Sequence, residues 1–215
     1  MPRKSFLALP LSLLATLGLH GRGNQTTTEQ AFWVWFQNNQ DMLFDFEKDE
    51  ERTFDRLAAE LHKVHPSLTF EFGPKNDGSR EFVISADGIK EAFPKVESLY
   101  AAAPVLPRWK FIKFRPRRKP NNISYGGVNV KHETVTVQVA RGGQKADIIV
   151  FIPGYNERER NAYLSIAFLL LDEALGEYDV EMKIGQIQVK PSPPTAEQAH
   201  SLEELPKIVD AMLVH

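Results

Sequence analysis

Twice in this chain an alternating apolar run is followed by turn residues, a second apolar run, a helical stretch and a further strand-like segment. In the first passage Leu68, Phe70 and Phe72 alternate with Thr69 and Glu71, as a strand with one buried face requires. Asn76-Asp77-Gly78 supplies a turn tolerant of positive φ, and residues 81–85 return as a second strand. Asp87 is the expected N-cap of a helix that places Ile89, Phe93, Val96 and Leu99 on one face. Pro94 counts against a regular helix there, and residues 109–114 form the third strand. In the second passage Val135, Val137 and Val139 alternate with Thr136 and Gln138, and Arg141-Gly142-Gly143 makes the turn. Residues 148–152 are an unbroken apolar run, as in a strand covered on both faces. Asn156 with Glu159 three residues on reads as a capping box, residues 158–175 as a helix, and Gly176 as its stop. Val180, Met182 and Ile184 alternate, the phase slips at Gly185-Gln186, and Ile187 and Val189 resume. That slip reads as a β-bulge.

The expected fold is therefore α+β. Two ββαβ units feed a common interior through a mixed sheet of about six strands, with helices mainly on one face. Hairpins supply the antiparallel pairs, and the strand–helix–strand connections supply parallel pairs with right-handed crossover. The alternative is one sheet plus a separate small lobe joined by the loop 116–129. Two helices precede the units. The first, about 28–43, carries Phe32, Trp33, Trp35 and Phe36; the second, about 48–64, aligns Phe54, Leu57, Leu61 and Val64 and is stopped at Pro66. Residues 28–190 are read as one domain. Residues 191–215 are read as a proline-rich linker and a short C-terminal helix built on Leu202, Leu205, Val209 and Met212.

Residues 1–27 are set apart as a leader. Arg3 and Lys4 precede an apolar run that ends at Leu19, and a polar stretch follows, which is the layout of a secretory signal peptide. The competing reading is a start codon placed too far upstream. The run is short for a bilayer span of ~20 residues, so the mature domain is expected to carry no integral membrane segment. The favoured compartment is the cytoplasm, with export through the leader as the alternative.

Composition excludes several chemistries. The chain has 215 residues and no cysteine, which removes disulfide frameworks, thiolate zinc sites and cysteine nucleophiles. A formal net charge of -2 provides no global field toward nucleic acid or an anionic membrane. No cofactor motif is present, and no metal site is expected. His62 and His65 lie three apart near a helix end but lack the third ligand a catalytic zinc site uses.

Three constellations remain. Phe32-Trp33-Val34-Trp35-Phe36 encircles a helix, because successive residues sit ~100° apart. Trp33, Trp35 and Phe36 either fill a groove in the core or present an aromatic strip to a protein partner or second copy. No acidic residue falls between Glu97 and Glu133, whereas Arg108, Lys110, Lys113, Arg115, Arg117, Arg118 and Lys119 all do. Such a stretch either grips phosphates or faces acids of the same chain, and residues 41–60, with eight acids against three bases, offer them. Asp172 and Glu173 sit in an apolar helix, where burial raises carboxyl pKa values. Glu177 and Asp179 follow it, and the simpler reading makes them a solvated helix end.

The runs Phe32–Asn39, Leu68–Pro74, Glu81–Lys90 and Leu171–Val180 together resemble a bacterial family of uncharacterised proteins, marked by an FWxWFQxN helix and LTFEFGP and EFVISADG strands. The resemblance covers roughly residues 29–190. It implies a bacterial source and a compact domain, and it supplies no catalytic residues.

The functional expectation is a non-enzymatic binding or interaction domain. Its working surfaces are Trp33, Trp35 and Phe36 together with Arg108, Lys110, Arg115, Arg117 and Arg118, and its partner is a protein or a second copy. A hydrolase using carboxylates near the end of the 158–175 helix is the alternative. Nucleic acid through the 108–119 stretch is a further, disfavoured one.

Overall fold

The computed structural model describes residues 26–193 and 199–213. The leader through Gln25 lies outside the described residues. Two helices open the chain: α1 (Thr28–Phe44) and α2 (Glu50–Val64). The Thr27 hydroxyl accepts from Gln30 N while the Gln30 side chain accepts from Thr27 N, a reciprocal cap that starts α1 where the polar run ends.

The first ββαβ unit follows: β1 (Thr69–Asn76), β2 (Ser79–Ser85), α3 (Phe93–Ala101) and β3 (Trp109–Lys113). β1 pairs antiparallel with β2, and β2 pairs parallel with β3. The second unit repeats this. β6 (Thr136–Gly142) pairs antiparallel with β7 (Lys145–Phe151), and β7 pairs parallel with β8 (Ile184–Lys190) beyond α4 (Arg160–Leu175) and α5 (Glu177–Lys183). Between the units lies a hairpin of β4 (Ile123–Tyr125) and β5 (Val128–Val130). After them come a two-residue strand, β9 (His200–Ser201), on the edge of β6, and helix α6 (Leu205–Leu213).

The α+β class and the two N-terminal helices are thus in place, and the strand–strand–helix–strand order occurs in both segments. One expectation is corrected. The six strands do not share a sheet or an interior. They form separate sheets ordered β1-β2-β3 and β8-β7-β6-β9. Phe82, Ile84 and partly buried Phe70 pack with α1, α2 and α3, whereas Val137, Ile148 and Val150 pack with α4 and α6. Each unit has a helical layer of its own against its sheet, so neither needs the other's apolar face. α6 belongs to the second core through Leu205 and Val209, both fully buried.

Four local readings are also refined. Pro94 lies in the first turn of α3, where its missing N–H costs nothing. Asp87 caps no helix; it takes φ 53° in a turn with Gly88. Residues 180–183 are helical, because Gly176 at φ 81° ends α4 and α5 begins at the next residue. Gly185-Gln186 does form the bulge: Ala146 faces Ile184 but Ile148 faces Ile187. The Asp147 carboxylate holds it by accepting from Gln186 N at 2.8 Å.

Candidate functional site

The seam between the two units starts at Phe114. Its N–H donates to Ile84 O at 2.7 Å, and its φ of 61° turns the chain out of the sheet. Residues 115–121 then run along the end of α4. Arg118 N donates to Glu173 O at 2.6 Å, Asn121 N to the Glu173 carboxylate at 2.7 Å, and Arg117 Nε to Leu175 O at 2.9 Å. A cation on the last carbonyls suits the negative end of a helix. Gly176 permits the approach: a Cβ there would sit 3.2 Å from both Arg115 O and Arg117 N.

Glu177 locks the seam. Its carboxylate is fully buried and accepts from Ala86 N at 2.9 Å, Gly88 N at 3.1 Å and Arg115 N at 3.0 Å, while its own N–H donates to Arg115 O at 3.0 Å. The positive φ values of Asp87 and Gly88 bend the first unit's turn so that its N–H groups converge on this carboxylate, as in an anion-binding nest. The reading of Glu177 as a solvated helix end is therefore corrected. Nothing in the local pattern signals the nest, because its donors lie 62 to 91 residues away.

Above Glu177 is a charged knot. Arg115 donates to Glu71 and, at 2.8 Å, to Asp87, and lies 3.8 Å from Asp172. Burial pushes the Asp172 carboxyl up to about 7; the attraction of Arg115 opposes this, and the charges of Glu177, Asp87 and Glu71 add to it. Two cavities of about 330 Å³ flank Asp172, and Leu169 lines both. One opens toward Tyr125, Phe168 and Glu181 and the other toward Arg118, Asn122 and Glu173. Volumes of this size lie at the lower end of the range for small-molecule sites.

A pH prediction follows from Asp172. Its folded pKa stands above its unfolded value, so the native state holds the proton more tightly between roughly pH 4 and 7, and folding stability falls as pH rises through that window. Asp172→Asn mimics the protonated form. It is expected to leave stability nearly unchanged at pH 3, below the ordinary Asp range, and to raise it by a few kcal/mol at pH 8, above the folded-state value of about 7. Urea midpoints at the two pH values check this; an equal change at both would show that Asp172 does not titrate in the window.

The residues singled out in the sequence fall differently. Trp33 is 3% exposed and its Nε1–H donates to Leu99 O at 2.8 Å. Phe36 is fully buried among Phe82, Trp109 and Phe111. Trp35 is half-buried beside Phe32, and Val34 alone of the five faces outward, 54% exposed. The aromatic strip is spent on the core, because α2, α3 and the first sheet surround α1 on most sides.

The basic stretch is neutralised within the chain, but of the acids in residues 41–60 only Asp41 takes part among the described residues. Arg108 meets Asp41 at 2.6 Å and lies over the Phe44 ring. Lys110 and Arg118 share Glu81, each at 2.9 Å, and Lys113 meets Glu97 at 3.3 Å. Arg117 bridges Asp179 and Asp210, and Lys119 meets Glu203 at 3.4 Å. Only Arg115 and Arg118 of the named cations line the two Asp172 cavities, both in the one toward Glu173.

His65 Nδ1 accepts from Ser67 N and His62 is exposed. Among the described residues no three His, Cys, Asp or Glu side chains converge as a metal site would require, and no helix is long and apolar enough to cross a membrane.

In comparisons with known proteins, no family model, no curated protein and no solved structure matches the chain.

Proposed function

We propose that this chain is a non-enzymatic binding domain whose working site is the seam between its two ββαβ units. The observation that carries the reading is the position of Asp172. It is a largely buried carboxyl between two cavities of ligand size, on a wall held rigid by the Glu177 nest. Two units with separate cores leave a crevice where they meet, and crevices between packed units are where small-molecule sites concentrate. The Trp helix and the basic stretch support this reading only indirectly, since their side chains are committed to internal contacts.

The runner-up is an enzyme. A carboxyl held near pKa 7 is suited to proton transfer, and the same seam would house the reaction.

One experiment addresses both. The purified chain and its Leu169→Trp variant, in which an indole replaces a side chain lining both cavities and reshapes them, are incubated with a deproteinised small-molecule extract, and retained compounds are identified by mass spectrometry. Binding predicts a compound retained by the wild type, absent from the variant and recovered unchanged. Time-dependent conversion by the wild type, lost in Asp172→Asn, would replace binding with catalysis. Equal retention by wild type and Leu169→Trp would remove the seam as the site.

A further inference from the structure

The cavity on the Tyr125 side has a chemistry of its own. Its walls carry the carboxylates Asp87, Asp172 and Glu181, the Glu177 carboxylate already held by the nest, and the rings of Tyr125 and Phe168, and no lysine or arginine lines it among the described residues. Arg115, which lies 3.8 Å from Asp172, lines the other cavity, and Lys145 Nζ donates to the backbone carbonyl of Glu181 at 2.9 Å without lining this one. Asp87 is already paired with Arg115 at 2.8 Å, but Glu181 makes no ion pair among the described residues. The two rings are the second, independent feature. Tyr125 is 51% and Phe168 47% exposed, although each belongs to an element that packs on the second core, and two large rings bordering one cavity are an apolar surface in search of a cover.

Carboxylates with aromatic faces attract cations twice over, by charge and by the ring quadrupole. A bare metal ion does not fit, because among the described residues no three donor side chains converge on one point. The acids are instead spread around a wall that also offers Leu169 and Val180, so the occupant must be extended and partly apolar.

We propose that this cavity binds a small organic cation, an alkyl- or arylammonium or guanidinium compound, whose charged head faces Glu181 and Asp172 and whose apolar body lies against Phe168 and Tyr125. The proposal rests on the seam reading above and names its ligand class.

The test is isothermal titration of the full chain at pH 8 with three probes of like size: phenethylammonium, neutral 2-phenylethanol and anionic phenylacetate. Contacts are mapped by NMR on Tyr125, Phe168 and Leu169. The expected result is saturable binding of the ammonium probe, at least about tenfold tighter than the other two. Glu181→Gln and Phe168→Ala are each expected to weaken it about fivefold, as loss of one exposed charge or cation–π contact would. Both positions are solvent-accessible, so neither substitution threatens folding. The neutral or anionic probe binding as well or better at the mapped residues would overturn the cation class while leaving the seam as a site. Ammonium binding that neither substitution weakens would overturn its placement. If no probe of any charge perturbs these residues, the cation proposal falls, while the seam reading, which also includes the cavity toward Glu173, stands or falls separately on the retention experiment with Leu169→Trp.

Discussion

Glu177→Ala is expected to lower the unfolding free energy by about 4 kcal/mol or more, read as a fall in urea midpoint. The substitution leaves three backbone donors, Ala86 N, Gly88 N and Arg115 N, aimed at an empty space. A buried donor without a partner costs about 1–3 kcal/mol, and hydrogen bonds to a charged acceptor are at the upper end. Glu177→Gln makes the argument sharper. Its single carbonyl oxygen can still accept from Ala86 and Gly88, but its amide then points N–H groups at the N–H of Arg115. The Gln variant is expected to fall between wild type and Ala. A Gln variant as stable as the wild type would mean that the carboxylate's charge and second oxygen contribute nothing. An Ala variant within 1 kcal/mol of wild type would mean that the seam does not depend on the nest.

The second large effect is expected at the N-terminal helix. Trp33→Ala should cost about 3–5 kcal/mol, the usual range for truncating a large buried aromatic. It removes edge contacts with Phe32, Phe36 and Phe111, with ring centroids at 5.1, 5.4 and 4.5 Å, and leaves Leu99 O without the indole donor. Val34→Ser, one residue along but facing outward, should change stability by no more than about 0.5 kcal/mol. Chemical denaturation of the two variants measures the contrast. Similar losses at both positions would mean that α1 is buried all round, and negligible loss at Trp33 would return the aromatic strip to the surface as an interface.

The hairpin–helix–strand order of each segment was legible in the sequence because each element is set by neighbours close in the chain. Thr69, Phe70 and Glu71 alternate, Asn76-Asp77-Gly78 turns, and Asn156 accepts from Glu159 N to begin the second unit's helical segment. The bulge was legible too, since one extra residue shifts every later side chain to the opposite face. Local pattern also identified the carboxylates Asp172, Glu173 and Glu177 as a group worth weighing, although it mistook Glu177 for a surface residue.

What only the tertiary structure decided is how the two units meet. Periodicity states that a strand has a buried face, not which helix buries it, so one interior and two interiors read alike in the sequence. The same holds for charge: Arg108 to Lys119 form one basic run along the chain, yet in space their acids come from α1, β1, β2, α3, α5 and the C-terminal segment. Above all, the nest at Glu177 joins residues 62 to 91 positions apart, and the Arg115–Asp172 pair joins residues 57 apart. Hydrogen bonds and Coulomb forces act through space at a few ångströms, and only the packing of one unit against the other brings those groups within that distance.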